Sequence, residues 1–402
     1  MNNRVIFHCD LNNFYASVEC LEEPLYTDKV LVVCGSVQDR HGIVLAKNQK
    51  AKKLGITTGM TLNNAKALSK DVVAVECDMD KYLRYSKKVR KIYERYTDII
   101  ESFGIDEAWL DVTNNLKFDS VYDLAYDIKE TVKKEIGLTI SIGISYNKAF
   151  AKLASDVKKP DGITLIDESN YQNVVWNTDV SALLFIGKKV TKILNDLNIF
   201  TIGDLANSNP FLLNSAIGKW ADQLLRFANG TDDSPVTPTD LEEPAKSVSN
   251  SVTAYRDLTT NNDVDIILHV LSETVVNRVI DLNIGVPTIV SINIKDTEFN
   301  SITRQITIKP TLIAKDVHKE AFSLFKENYN WKYPVRLVGL ALSNFNEKDK
   351  KISTEPDSKY LKLEKVIKTL SDKNGKTVVS SGVSLYDKKL MNQKFKDKDI
   401  NN

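Results

Sequence analysis

Short apolar runs alternate with helix-like spacing along the first part of the chain. Runs of strand length occur at residues 4–10, 30–34, 42–46, 72–76, 99–103, 108–112 and 138–144. Segments whose apolar residues recur every three or four positions occur at residues 14–20, 47–54, 62–68, 82–96 and 121–136. Strands interleaved with helices in this way predict a mixed α+β sheet domain of about 170 residues.

The pattern changes twice further along. From residue 179 it consists of helices joined by glycine-containing turns, and the polar stretch at residues 230–238 predicts a linker. Residues 245–345 are again mixed, with helices predicted at residues 263–282 and 316–329 and later strands at residues 288–296, 301–308 and 335–345. This arrangement predicts a four-stranded sheet backed by two helices. The remaining segment is rich in lysine, with one helical stretch at residues 360–370.

Composition narrows the class of protein. The chain has 402 residues, which predicts several domains at about 150 residues each. Its 42% hydrophobic and 27% charged residues are those of a soluble globular protein. The start is polar and no apolar run approaches the ~18 residues that span a bilayer, so we expect neither a signal peptide nor a membrane segment. Cys9, Cys20, Cys34 and Cys77 lack zinc or disulfide spacing, which indicates reduced thiols in a cytoplasmic protein.

Acidic residues stand next to apolar runs at two places. Asp106 and Glu107 interrupt a strand-like segment, and Asp10 ends the first predicted strand. Burying adjacent carboxylates is costly unless a cation compensates, and three of them together form the oxygen ligand set that Mg²⁺ prefers. Taken alone, Asp106 and Glu107 are equally compatible with an edge strand that faces water.

A third segment, residues 140–162, reads as a strand, a turn and a helix that carries lysines. A Lys-Pro-Asp-Gly turn closes the helix and fixes Lys159 at its end. Alone, the segment is also compatible with an amphipathic surface helix.

Together the three segments resemble the Y-family of DNA polymerases, and most closely the bacterial DNA polymerase IV branch. The resemblance rests on the run from Cys9 to Tyr15, on the run from Ile105 to Asp111, and on the run from Gly143 to Asp156 with its Lys-Pro-Asp-Gly turn. It implies a right-hand α+β fold and template-directed, error-prone synthesis across damaged bases without a proofreading nuclease. The implied domains are a palm (residues 1–13 and 78–168), fingers (14–77), a helix-hairpin-helix thumb (169–232), a linker (233–244), a little finger (245–346) and a lysine-rich tail (347–402).

The resemblance also assigns metal ligands. Asp10 and Asp106 would bridge two Mg²⁺ ions, and Glu107 would bind the ion on the primer side. The backbone carbonyl of Leu11 would be a further ligand of the nucleotide-side ion. Asp111 belongs to the same motif but lies near the end of the strand, and we predict a structural capping role for it.

Tyr15 is, by resemblance, the steric gate that excludes ribonucleotides, because its ring would clash with a 2′-hydroxyl. The alternative is an ordinary core aromatic. The backbone N–H groups of Asn13, Phe14 and Tyr15 stand at a helix start, where they suit the oxygens of a phosphate.

The predicted triphosphate site departs from the family pattern. Many members carry a Tyr-x-x-Arg pair on the fingers helix, where this chain has Gln49 and Lys52. Lysine keeps the phosphate contact but lacks the bidentate geometry of arginine. Lys159 is the second lysine assigned to the triphosphate. Lys52 is also compatible with a solvated helix face, since Lys50 and Lys53 flank it.

The predicted DNA contacts are local, because the net charge of +1 gives no overall attraction for nucleic acid. Two segments resemble helix-hairpin-helix units, which hold a phosphate on backbone amides at a helix start. The residues assigned to DNA are Gly187 and Lys188 in the first unit, Gly218 and Lys219 in the second, and Ser247 and Ser249 at the start of the little finger.

The expected partners are primer-template DNA and deoxynucleoside triphosphates, bound by a monomer. The tail segment at residues 382–387 resembles a sliding-clamp peptide but lacks its glutamine, and a disordered, lysine-rich tail is the alternative. Two other function classes stay open: a nucleotide cyclase with a similar palm, and a DNA-binding relative without catalysis. The cyclase would not need the helix-hairpin-helix units, and intact Asp10, Asp106 and Glu107 argue against the second class.

Overall fold

The computed structural model describes residues 4–35, 42–115, 118–238 and 244–346, together with Val366. The described residues form two compact units, one before residue 239 and one from residue 244 onward. The stretches at residues 360–370 and 382–387, for which a helix and a clamp-binding peptide are predicted, lie outside these ranges apart from Val366. Among the described helices, none is long and apolar enough to cross a membrane.

The first unit contains eight strands and eleven α-helices within the described residues. The strands are β1 (Ile6–Leu11), β2 (Val30–Cys34), β3 (Val44–Lys47), β4 (Val72–Glu76), β5 (Ile100–Ser102), β6 (Glu107–Asp111), β7 (Ile140–Ser145) and β8 (Ile163–Leu165). The helices are α1 (Phe14–Glu22), α2 (Gln49–Lys53), α3 (Leu62–Leu68), α4 (Met79–Tyr93), α5 (Val121–Ile136), α6 (Lys148–Val157), α7 (Tyr171–Val175), α8 (Lys188–Asp196), α9 (Ile202–Ala206), α10 (Pro210–Ile217) and α11 (Trp220–Ala228).

A five-stranded sheet in the order β5-β6-β1-β7-β8 forms the centre of this unit. All six residues of β1 are buried, since the strand lies between two others and both faces are covered. The main core packs α1, α4 and α5 against one side of the sheet through side chains such as Val18, Tyr82 and Ile128. The apolar run of β1 in the sequence is therefore explained by burial on both faces.

Helix α6 packs unusually close to the sheet because β7 has a glycine beneath it. A Cβ atom on Gly143 would lie 1.9 Å from the carbonyl oxygen of Ala151. No other residue fits at that position without pushing the helix away. The absence of a side chain at Gly143 therefore sets the distance between α6 and the sheet.

A smaller three-stranded sheet, β3-β2-β4, carries α2 and α3. Its strands β2 and β4 are parallel, and β3 is antiparallel to β2. Val32, Val44, Ala51, Ile56 and Ala65 fill a separate core. This part coincides with the segment for which fingers are expected.

The helices from α7 to α11 form a third core around Leu194, Leu205, Leu213 and Leu224. Each buries one apolar stripe, which is why the sequence shows helical spacing without strand-like runs here. After α11, the chain runs back to the five-stranded sheet.

Residues 232–237 lie against the first unit, although their polar composition predicts a linker. Val236 is only 4% exposed and packs on Ile6 and Trp109. Glu101 accepts a hydrogen bond from the Thr237 amide at 2.8 Å, and Arg4 donates to the Ser234 carbonyl at 2.8 Å. Backbone groups of this stretch are bonded to side chains rather than to water alone, so residues 232–237 are fixed on the surface of the first unit.

The second unit consists of β9 (Ser247–Leu258), α12 (Asn261–Leu282), β10 (Val286–Asp296), β11 (Ser301–Thr307), α13 (Ala314–Asn328) and β12 (Val335–Asn346). The strands form an antiparallel sheet in the order β11-β10-β12-β9. In each half a helix connects two parallel strands that have one strand of the other half between them. This confirms the predicted four-stranded sheet with two helices.

Candidate active site

The three acids predicted as metal ligands come together at one end of the central sheet. Asp10 is the cross-strand partner of Glu107 in the antiparallel pair of β1 and β6. The amide of Leu11 donates to the carbonyl of Asp106 at 2.9 Å, which places Asp106 beside the end of β1. The strand register therefore brings Asp10, Asp106 and Glu107 to the same end of the sheet.

The turn before Asp106 depends on a glycine and an arginine. Gly104 has a φ of +82°, a backbone conformation that side chains other than glycine adopt with strain. The guanidinium of Arg90 donates to the carbonyl of Gly104 at 2.9 Å and also to the hydroxyl of Ser102. The glycine and the arginine together fix the turn that presents Asp106.

Burial raises the pKa of two of the three acids, Asp10 and Asp106. Burial and the adjacent charge of Glu107 raise the pKa of Asp106 to about 6. Burial likewise raises the pKa of Asp10 to about 7, in spite of an opposing contribution from the Lys159 ammonium. A buried carboxylate with a raised pKa is stabilised in its charged form by any cation that comes close to it.

Two lysines of the α6 segment supply positive charge. The Nζ atom of Lys159 lies 2.7 Å from Oδ2 of Asp10, and it also pairs with Asp156 at 2.6 Å. Lys152 forms an ion pair with Oε2 of Glu107. The sequence predicted Lys159 as a site residue, whereas it gave no role to Lys152.

Asn12 connects Lys159 to the sheet, a role that the sequence did not reveal. Its Oδ1 atom accepts from the Asp161 amide at 2.8 Å, and its Nδ2 atom donates to Ser141 at 2.9 Å. Asp161 is held further by Lys129, whose Nζ atom lies 3.2 Å from Oδ1. The turn after Lys159 is thereby fixed to the strand next to Asp10.

His8 is a second residue that sequence reasoning missed, since its spacing matched no ligand pattern. It is fully buried, and its Nδ1 atom lies 2.8 Å from Oγ of Ser155. Burial lowers its pKa to about 4, which keeps the imidazole neutral near pH 7. Its Nε2 atom lies 3.3 Å from Oε2 of Glu107. Burial works against ionisation of Glu107, but contacts with His8 and Lys152 lower its pKa.

The donor set fits Mg²⁺, because it consists of carboxylate oxygens whose mutual repulsion a divalent cation would relieve. Among the described residues, no three acidic, histidine or cysteine side chains already converge at coordination distance. Asp10 and Glu107 are instead each turned toward an ammonium group. Asp111 stands apart from them: its Oδ1 atom accepts from the Thr113 amide at 3.0 Å, which confirms the predicted structural capping.

Tyr15 lies in the first turn of α1, half-buried beside the acids. Its ring stacks on that of Tyr82, with centroids 4.3 Å apart and planes 6° from parallel. Burial raises the pKa of Tyr15 to about 12, with a smaller contribution from the charge of Asp106. Asn13, at a φ of 50°, precedes the helix, so the first-turn N–H groups of Phe14 and Tyr15 stand at the same edge.

The residues predicted for the triphosphate on α2 are exposed or half-exposed. Asn48 caps the helix by accepting from the Ala51 amide at 3.0 Å, and Gln49 is its first residue. Lys50 pairs with Asp28 at 2.9 Å, whereas Lys52 is exposed.

The residues predicted for DNA lie at helix starts and on a strand. Gly187 is the N-cap of α8, which begins at Lys188. Gly218, at a φ of +64°, and Lys219 form the turn from α10 into α11. In the second unit, Ser247 and Ser249 on β9 are exposed while Val248 and Asn250 are buried, so both hydroxyls lie on the face of the sheet opposite the helices.

Comparisons with known proteins agree on one family. The impB/mucB/samB family model matches residues 9–156, and the model of that family's C-terminal domain matches residues 245–355. The chain is 45% identical to DNA polymerase IV of Acetivibrio thermocellus, over 96% of this chain and 99% of that protein. It is 32% identical to DNA polymerase IV 1 of Bacillus subtilis, over 95% of this chain and 94% of that protein. A solved Y-family DNA polymerase chimera superposes with a TM-score of 0.75 at 26% identity, covering 85% of this chain and 99% of that one.

Proposed function

This chain belongs to the impB/mucB/samB family, the Y-family DNA polymerases of the DNA polymerase IV branch, and from this membership we propose that its three acids catalyse nucleotide addition by a two-metal-ion mechanism. It is a DNA-directed DNA polymerase with a role in translesion synthesis and DNA repair. The observation that carries the mechanism is the strand register that places Asp10, Asp106 and Glu107 at the same end of the central sheet.

Each acid has a distinct task in this proposal. Asp10 and Asp106 would be ligands of both Mg²⁺ ions, Glu107 would hold the ion on the primer side, and the Leu11 carbonyl would add a ligand on the nucleotide side. When bound, the ions lower the pKa of the primer 3′-hydroxyl and neutralise charge on the triphosphate.

Residues around the acids orient the incoming nucleotide. Lys159 neutralises the triphosphate together with Lys52, and Gln49 donates a hydrogen bond to it. The N–H groups of Asn13, Phe14 and Tyr15, at and just before the start of α1, bind phosphate oxygens in the positive field of the helix start. The Tyr15 ring, supported by its stack on Tyr82, excludes a 2′-hydroxyl.

DNA is held outside the catalytic centre. We assign residues 1–13 and 78–168 to a palm, 14–77 to fingers, 169–232 to a thumb and 245–346 to a little finger. Two turns bind backbone phosphates, one at Gly187 and Lys188 and the other at Gly218 and Lys219. The hydroxyls of Ser247 and Ser249 bind backbone phosphates as well. Such contacts position the duplex without reading its sequence. The enzyme acts as a monomer in the cytoplasm.

Primer extension tests the proposal. With primer-template DNA, four deoxynucleoside triphosphates and Mg²⁺, we expect extension opposite an undamaged base and opposite a lesion, and none in EDTA. A primer with a mismatched 3′ end should release no mononucleotide, because the proposed activity includes no proofreading nuclease. Failure to extend any primer would contradict the catalytic assignment, and release of the mismatched nucleotide would contradict the absence of proofreading.

A further inference from the structure

One oxygen atom of the proposed metal site is in contact with two nitrogen atoms. Oε2 of Glu107 forms an ion pair with the Nζ atom of Lys152 and lies 3.3 Å from Nε2 of His8. The side chains of Lys152 and Glu107 are 19% and 22% exposed, and that of His8 is not exposed at all. Charges at this depth are only weakly screened by solvent.

His8 and Ser155 belong to the same cluster. Nδ1 of His8 lies 2.8 Å from Oγ of Ser155, and the Ser155 hydroxyl donates to the carbonyl oxygen of Lys152 at 2.7 Å. The imidazole is fully buried, so the carboxylate of Glu107 packs against a side chain that is itself fixed in the interior.

The ammonium of Lys152 is the cation beside the Glu107 carboxylate. The backbone carbonyl of Lys152 accepts from the Ser155 hydroxyl, which in turn contacts His8. The Nζ atom of Lys152 lies over the ring of Phe103, 5.0 Å from the centroid, so its position is defined by packing as well as charge.

We propose that Lys152 is a positioning residue for Glu107: its ammonium occupies the cation position at Oε2 when metal is absent, and competes there with the divalent ion. This inference rests on the metal assignment made above. The ion pair with Lys152 keeps the side chain of Glu107 extended into the site before substrate binds. It also weakens metal binding to the free enzyme, so that the site is filled chiefly once DNA and the triphosphate supply further ligands.

The test measures Mn²⁺ binding to the full chain without DNA or nucleotide, by the electron paramagnetic resonance of free Mn²⁺. We expect Lys152→Met to bind Mn²⁺ about fivefold or more tightly than the unaltered protein, because the competitor is gone. Lys152→Arg restores the charge and should bind as the unaltered protein does. Lys152→Gln provides the same comparison if Lys152→Met does not fold.

Lys148→Met is the matched control. Lys148 lies one turn earlier on α6 and forms an equally buried ion pair with Glu101 at 2.6 Å, away from the three acids. Its loss should lower the melting temperature equally in EDTA and in Mg²⁺ and leave Mn²⁺ affinity unchanged. For Lys152→Met, the fall in melting temperature relative to the unaltered protein should be larger in EDTA than in Mg²⁺.

Asp106→Asn separates failure of this inference from failure of the proposed function. If Asp106→Asn weakens Mn²⁺ binding but Lys152→Met does not tighten it, the metal site stands and the role of Lys152 is overturned. Mn²⁺ binding that is indifferent to Asp106→Asn overturns both. Tighter binding in Lys148→Met as well would reduce the effect to a loss of positive charge and overturn the specific role of Lys152.

Discussion

The ammonium of Lys159 lies 2.7 Å from the carboxylate of Asp10, although the two residues are 149 positions apart in the chain. The contact joins the end of the α6 segment to the end of β1. It also gives Lys159 a partner before any triphosphate is present. A lysine that binds an acid in the free enzyme and a phosphate in the complex can couple nucleotide entry to release of that acid for metal binding.

Removing either central acid should stop synthesis while sparing DNA binding. We expect Asp106→Ala and Glu107→Ala to extend primers at less than a few per cent of the unaltered rate, because each loses a ligand of the proposed metal site. Affinity for primer-template DNA, measured by fluorescence anisotropy, should change little, since phosphate contacts elsewhere supply it. Substantial extension by Asp106→Ala would refute the metal assignment, and Asp111→Asn, outside the site, is the control.

Tyr15→Ala should admit ribonucleotides. The Tyr15 ring is held by its stack on Tyr82, so it cannot easily move aside for a 2′-hydroxyl. We expect the ratio of ribonucleotide to deoxynucleotide incorporation to rise by about a hundredfold or more, as single-nucleotide kinetics would measure it. An unchanged ratio in a variant that still uses deoxynucleotides would show that Tyr15 is an ordinary core aromatic.

Lys52→Ala should raise the apparent KM for the incoming nucleotide, with kcat/KM falling about tenfold or more if a charge-assisted hydrogen bond to phosphate is lost. Lys52→Arg should be tolerated or improved, since a guanidinium restores a bidentate contact. Steady-state kinetics decides the matter.

Lys50→Ala and Lys53→Ala are the controls for Lys52. Lys50 is already paired with Asp28, so its loss should have a much smaller effect on kcat/KM. Equal small losses at all three positions would mean that α2 is a solvated basic helix and that Lys159 is the main triphosphate ligand.

Gly143→Ala should harm both stability and activity. Its new Cβ would meet the Ala151 carbonyl at 1.9 Å, so α6 must move away from the sheet and carry Lys152 with it. We expect a loss of about 1–3 kcal/mol in the free energy of unfolding. Gly187→Ala is the control for stability, because no atom lies within 4 Å of the added Cβ. Equal stability of the two variants would contradict the packing argument.

Much of the fold follows from local pattern. The predicted bounds of Val30–Cys34, Val72–Glu76 and Val121–Ile136 coincide with the structure, because each has a clear hydrophobic period. Short elements were missed: β8, at Ile163–Leu165, has three residues and no period to detect. The polar composition of residues 232–237 does not reveal their contacts with the first unit, because side chains from distant parts of the chain fix them.

The site was predictable only where its motifs are contiguous. Asp106 and Glu107 are adjacent in sequence, and an acid placed at the end of an apolar run already suggests Asp10. The contact of Lys152 with Glu107 depends instead on how closely α6 packs. The role of His8 depends on a partner, Ser155, that lies far along the chain. No spacing in the sequence records either contact.

The position of β1 between β6 and β7 has a consequence for synthesis of the protein. The first strand made is central, and at about 5–20 residues per second it waits roughly 5–20 s before β6 leaves the ribosome. In the second unit, β12 is the last of the four sheet strands to be made, and it fills the gap between β10 and β9. Neither sheet can close early, so the nascent chain exposes unpaired strand edges for most of translation. We therefore expect its yield in cells to depend on the chaperones that meet chains at the ribosome.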